Sequence, residues 1–192
     1  MTTFEMIAEE LAESAQLAAR VAADAPLREG LHRACQAVVH AIEGQGRVLT
    51  AGNGGSAADA AHLAEELTGR YRSNRPALAG LCLNACGPTL TCIANDFGYD
   101  AVFSRQVEAH GRPGDVLVVF STSGQSASIL RALEAARLRH ITTIGMLGKD
   151  GGPAAALCNV PLVVPHHNTA RIQEIHGIFL HLLCEAVERH LA

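Results

Sequence analysis

The sequence predicts an α/β protein, a parallel five-stranded sheet covered by helices on both faces and preceded by two helices. Three observations lead there. Short apolar runs recur at Val48–Ala51, Leu78–Leu83, Val116–Phe120, Thr142–Leu147 and Val160–Val164. Helical stretches separate them, and strands alternating with helices read as a parallel sheet buried on both sides. Ahead of the first run lie two segments whose apolar residues repeat at helical spacing. With 192 residues, of which 48% are hydrophobic and 18% charged, the chain has the means for one well-packed core.

The first helix opens on a T-x-x-E capping box, Thr2 with Glu5, and carries Phe4, Ile7, Leu11, Ala15, Ala18 and Val21 on one stripe. It ends before Pro26. The second presents Leu27, Leu31, Ala34, Val38 and Ile42 and stops at Gly44 and Gly46. Residues 1–46 therefore form a helical pair, and residues 47–192 a single strand–helix unit. The first helix has little sheet to cover its narrow stripe, as expected of a segment that bundles with a partner.

Composition excludes several classes. A net charge of −4 and the lack of any lysine–arginine run argue against nucleic acid as the main ligand. No apolar stretch reaches membrane-spanning length, and Glu5, Glu9 and Glu10 stand where a signal peptide carries positive charge, so a cytoplasmic protein is expected. The cysteines, Cys35, Cys82, Cys86, Cys92, Cys158 and Cys184, form no CxxC pair and fall mostly in apolar runs. They read as reduced core thiols.

In a parallel sheet ligands bind beyond the carboxyl ends of the strands, which directs attention to two loops. The first, GNGGS, follows Val48–Ala51. Gly52, Gly54 and Gly55 let the backbone approach a ligand closely, while Asn53 and Ser56 add polar contacts. On the helix that follows, His62 and Glu66 are four residues apart and share a face, a pair suited to holding a metal or moving a proton. The second loop, STSGQS, offers the hydroxyls of Ser121, Thr122, Ser123 and Ser126 at a helix N-terminus. That is an uncharged cradle for a phosphate monoester, and a serine-rich N-cap is the plainer alternative. Gly52, Gly54 and Ala57 satisfy a loose dinucleotide pattern, but the second strand ends near Leu83 and Asn84 with no acid to hold a ribose. Neither loop carries the lysine of a nucleotide-triphosphate loop.

The runs GNGGS, HLAEELTGRYRSNRP, IANDFGYDAVFSRQVEA, STSG and RIQEIH follow one another as in the sugar isomerase (SIS) domain superfamily, and over nearly the whole chain the sequence resembles its phosphoheptose isomerases. That resemblance implies a flavodoxin-like sheet, a homotetramer and conversion of sedoheptulose 7-phosphate to D-glycero-D-manno-heptose 7-phosphate, on the way to the ADP-heptose of lipopolysaccharide. It implies sugar contacts from Asn53, Gly54, Gly55, Asn95, Asp96, Glu66 and Gln173, and phosphate contacts from Ser121, Thr122, Ser123 and Ser126. Glu66 and His181 become the acid–base pair of an enediolate mechanism, Glu66 carrying the proton and His181 serving the oxygens, or the two exchanged. It also implies zinc held by His62, Glu66, Gln173 and His181, although a glutamine amide is an unusual zinc ligand.

Other residues carry less. His166 and His167 read as a solvated loop pair, His176 as a core or interface residue, and Arg70, Arg72 and Arg75 as a charged helix end, with Arg70 able to reach a neighbouring subunit by resemblance. Ala170 stands where many family members have an acid, and Gln125 replaces the more usual asparagine of STSGNS. A second reading is a non-catalytic SIS-domain regulator that binds the replication initiator DnaA. Retention of both Glu66 and His181 favours the enzyme, because a regulator has no need of a carboxylate and an imidazole placed together.

Overall fold

The computed structural model describes residues 2–191. Its first helix, α1 (Thr3–Ala23), begins with the capping box: Glu5 N–H donates to Thr2 Oγ1 at 3.2 Å, and Thr2 N–H to Glu5 Oε2 at 2.7 Å. Asp24 closes α1 and opens α2 (Ala25–Glu43), its carboxylate accepting from Leu27 N–H at 2.9 Å, with Pro26 in the first turn where its missing N–H costs nothing. Gly44 caps the far end.

Next come β1 (Val48–Gly52), α3 (Gly55–Thr68), β2 (Gly80–Cys82), α4 (Gly87–Phe97), a 3-10 turn (Tyr99–Ala101) and α5 (Ser104–His110). The chain continues through β3 (Val116–Ser121), α6 (Ala127–Leu138), β4 (Thr142–Gly148), α7 (Gly152–Leu157), β5 (Val160–Val164) and α8 (Thr169–Leu191). All five strands are parallel in the order β2-β1-β3-β4-β5, the flavodoxin-like arrangement. The apolar run at Leu78–Leu83 yields only three strand residues. As an edge, β2 has a single partner, and a short edge strand limits pairing with another chain.

Strand alternation divides the core in two. Val48, Val116, Val118, Phe120, Ile144, Met146, Val160, Leu162 and Val164 face one layer, with Val38 of α2, Leu63 of α3 and Phe179 of α8. Leu49, Ala51, Leu117, Val119 and Leu147 face the other, with Val107 of α5, Leu133 of α6 and Ala154 of α7. Each such side chain taken fully from water contributes about 1.5–3 kcal/mol, so the sheet is held mainly by its two covers. Asp115 fixes where the central strands start, accepting from Arg47 N–H at 2.8 Å and Arg112 N–H at 2.9 Å.

The helical pair is not detached from this core, since α2 and the second half of α1, with Leu17 and Val21, are part of its first layer. The first half of the α1 stripe runs clear of it. Phe4, Ile7 and Leu11 are 82%, 48% and 66% exposed. Among the described residues no helix is long and apolar enough to cross a membrane.

Three details differ from the sequence reading. His166 is half-buried and lies 3.4 Å from Glu13, so α1 covers it; only His167 is exposed. All six cysteines are free, yet Cys86, at the N-cap of α4, and Cys92, within α4, are exposed. Arg75 is buried rather than part of a charged surface, its side chain 7% exposed. His176 does belong to the core. It is fully buried against Phe120, its Nε2 lies 3.0 Å from the Leu147 carbonyl, and its Nδ1 has no partner.

Burial lowers the His176 pKa from 6.5 to about 4. The unfolded chain takes up a proton near the ordinary value and the folded chain only near the lowered one. Stability is therefore complete above about pH 6.5 and falls as pH drops toward 4, by up to about 3 kcal/mol from this group. Urea melts of wild type and His176→Gln between pH 7.5 and 5 check this: the variant's stability is expected to depend less steeply on pH, and parallel curves would refute it.

Candidate active site

Strand order reverses between β1 and β3, which pair in register from Val48 opposite Val116 to Gly52 opposite Phe120. GNGGS and STSG therefore emerge side by side at the switch point, where open α/β sheets bind ligands. Asn84 clamps the last residue of β1, accepting from Gly52 N–H at 3.2 Å and donating to its carbonyl at 2.9 Å. A Cβ on Gly52 would stand 2.2 Å from the Ser56 carbonyl oxygen, so only glycine lets α3 fold straight back over the strand. Gly54, at φ 58 and ψ −125, needs glycine for its backbone alone, since a Cβ there meets nothing within 4 Å.

Asn53 joins this turn to the start of α6 and to the 3-10 turn. Its Nδ2 donates to Ser128 Oγ at 3.0 Å, and its Oδ1 accepts from the Tyr99 hydroxyl at 2.7 Å. In STSG, Ser121 Oγ accepts from Gly124 N–H at 3.1 Å and Ser123 Oγ from Gln125 N–H at 3.2 Å, so these hydroxyls shape the loop and keep their own protons free to donate outward. Ser126 sits at the N-cap of α6 but makes no capping hydrogen bond. The plain N-cap reading therefore fails for the one serine in the capping position, which leaves the helix end open to an anion.

The acid–base candidates lie along the seam between α3 and α8. His62 Nε2 is 3.3 Å from Glu66 Oε1, and the His62 and His181 rings meet edge to face with centroids 5.0 Å apart. One ligand atom each from His62, Glu66 and His181 lie within 4.8 Å of one another, all on half-buried residues. Two imidazoles and a carboxylate at that spacing form a donor set that suits zinc. Gln173, two turns before His181, lies at the other end of the seam: its amide donates to Ser56 Oγ at 3.4 Å and rests where a Cβ on Gly55 would be. Asn95 and Asp96 lie exposed near the end of α4, where Asn95 donates to Asp96 at 2.8 Å.

Tyr71, in the loop after α3, stacks on His181 at 5.6 Å. Sequence reasoning passed over it, as it did Tyr99, Ser128 and Asp59. Asp59 lies one turn before His62 with one buried carboxylate oxygen lacking a partner, and burial raises its pKa. Its i,i+3 spacing from His62 was the available signal.

Residues 5–148 match the SIS domain family. Phosphoheptose isomerase of Aeromonas hydrophila is 47% identical over 190 residues, 98% of each chain. The structure of phosphoheptose isomerase GmhA from Neisseria gonorrhoeae superposes with a TM-score of 0.91 at 41% identity, covering 98% of this chain and 100% of that one. The chain belongs to the phosphoheptose isomerase family. A second such isomerase structure, from Francisella tularensis, gives a TM-score of 0.93 at 33% identity over 98% of this chain and 100% of that one. Kinship of this extent with named enzymes decides for an isomerase over the non-catalytic regulator.

The Gly52 contact yields a prediction for this isomerase. Gly52→Ala is expected to lose about 1–3 kcal/mol of stability in urea melts, as the new methyl pushes α3 from β1, whereas Gly54→Ala meets only backbone strain. Wild-type stability in Gly52→Ala would show that the turn yields without cost.

Proposed function

We propose that the enzyme interconverts sedoheptulose 7-phosphate and D-glycero-D-manno-heptose 7-phosphate. The observation that carries this reading is a carboxylate and an imidazole, Glu66 and His181, gathered on one seam beside two loops suited to a sugar phosphate. Ser121, Thr122, Ser123 and Ser126 hold the phosphate at the start of α6, while Asn53, Gly54, Gly55, Gln173, Asn95 and Asp96 address the sugar hydroxyls. Held at that end, the open-chain ketose presents C1 and C2 toward α3 and α8. Glu66 takes the proton from C1 as His181 protonates the C2 oxygen, giving an enediol. His181 then removes the proton of the C1 hydroxyl as Glu66 returns its proton to C2, which leaves the aldehyde at C1. Binding energy at the remote phosphate aligns the reacting carbons.

His62, Glu66 and His181 would hold zinc, with Gln173 the fourth ligand on moving from Ser56. The ion's contribution when bound is to polarise the substrate carbonyl.

Turnover of sedoheptulose 7-phosphate, followed by NMR in deuterated water, tests the reaction. Wild type is expected to form an aldoheptose 7-phosphate with deuterium at carbon, and Glu66→Gln and His181→Gln to lose at least about a hundredfold in rate. Chelator treatment lowers the rate and added zinc restores it if the ion takes part. No turnover in either metal state sinks the heptose assignment.

We also infer a homotetramer, supported by the exposed half of the α1 stripe, Phe4, Ile7 and Leu11, which single chains rarely leave in water. Light scattering is expected to give four times the monomer mass for wild type and less for Leu11→Glu. A monomeric wild type would end this reading.

A further inference from the structure

The segment RYRSNRP, residues 70–76, leaves α3 and is held by one carboxylate from the far end of α8. Glu188, 8% exposed, accepts from the backbone N–H groups of Tyr71 at 3.1 Å and Arg72 at 2.9 Å through Oε1, and of Ser73 at 2.9 Å through Oε2. This donation, that of Arg72 foremost, holds the Glu188 carboxyl below the usual carboxylate range. Arg75 supplies the countercharge, its Nε 3.7 Å from Glu188 Oε1. The same guanidinium donates to the carbonyls of Glu66 at 2.6 Å, Leu67 at 2.9 Å and Pro76 at 3.0 Å. It thereby satisfies carbonyls at the end of α3, where a cation also suits the helix dipole.

Both members of the acid–base pair are thus tied to this cluster. Arg75 bonds the main chain of Glu66 itself. Glu188 lies seven residues, two turns, beyond His181 on the same side of α8, and its grip on residues 71–73 sets the Tyr71 ring against the His181 imidazole. We propose that the Arg75–Glu188 pair is a positioning device for catalysis: it fixes the end of α3 that carries Glu66 and holds Tyr71 as the wall that orients His181. This rests on the acid–base reading of Glu66 and His181. A simple loop anchor would stabilise the protein without bearing on the imidazole. The device is electrostatic: losing Glu188 leaves the Arg75 charge uncompensated and three main-chain amides without their acceptor, and losing Arg75 leaves the Glu188 carboxylate without its countercharge, so the loop cannot relax at small cost.

The test uses Glu188→Gln, which keeps size and shape, and Tyr71→Leu, which removes the wall while leaving the pair intact. Two readouts are taken on the intact protein: kcat and KM for sedoheptulose 7-phosphate, and the ring C–H signals of His181, assigned by their absence in His181→Gln. In Glu188→Gln kcat is expected to fall at least about tenfold while KM stays within about twofold, because orientation rather than binding is lost. The His181 signals should move toward their position in Tyr71→Leu, both having lost the ring current of the tyrosine. A lowered melting temperature with wild-type kcat and unmoved His181 signals overturns the proposal and leaves a loop anchor. If wild type does not turn over this sugar, the functional reading fails by itself, and the His181 signals in Glu188→Gln still decide the device: moved, it stands; unmoved, it falls.

Discussion

The site depends above all on how closely α3 approaches the end of β1. With hydrogen at Gly52 in place of a methyl, the helix folds back directly over its strand, and parallel pairing of β1 with β3 then sets the start of α3 beside the start of α6. Two helix N-termini set side by side carry partial positive charge, which favours the phosphate contacts proposed there without a lysine. Capping those ends internally would satisfy the amides and weaken the site. Gly54 has no side chain to cap with, and Ser126 makes no capping bond, so the chain forgoes a cap at both places.

The two sides of the site are built differently. On the side of the two loops, Ser121 and Ser123 bond within their own loop, while Asn53 ties the first loop to Ser128 and Tyr99, 75 and 46 residues further along the chain. The side proposed for acid–base chemistry joins residues far apart in sequence, His62 and Glu66 on α3 with His181 on α8, and its geometry rests on how two helices and a loop pack. The division suits the proposed reaction, in which one end of the substrate is anchored and the other must be aligned.

This difference also explains what was legible in the sequence. The strands, the capping box, the break before Pro26 and the two loops after β1 and β3 are local patterns, and the structure contains them at the expected places. The His62–Glu66 pair follows from i,i+4 spacing alone, whereas bringing His181 to it took resemblance to a family. Tyr71 and Glu188 gave no local signal, because a carboxylate that accepts from main-chain amides more than a hundred residues away leaves no periodic trace. His166 misled for the same reason: its cover comes from α1, at the other end of the chain.

Among the described residues, four buried side-chain atoms lack a hydrogen-bond partner: Asp59 Oδ2, Arg75 Nε, Arg171 Nε and His176 Nδ1. All belong to α3, the loop that leaves it, or α8. Such atoms each cost about 1–3 kcal/mol where no partner is supplied, and a core selected for stability alone would replace them with apolar groups. They gather on the elements that carry Glu66 and His181, and among the described residues none lies on the helices of the sheet's other face. Arg75 donates to carbonyls at the end of α3, and Arg171 of α8 donates to the Glu10 carbonyl of α1 and pairs with Glu174 on its own helix. Asp59 stands one turn before His62 on α3, and burial raises its carboxyl pKa. The seam thus combines incomplete hydrogen bonding with firm long-range ties, as expected where polar groups are kept ready for a ligand.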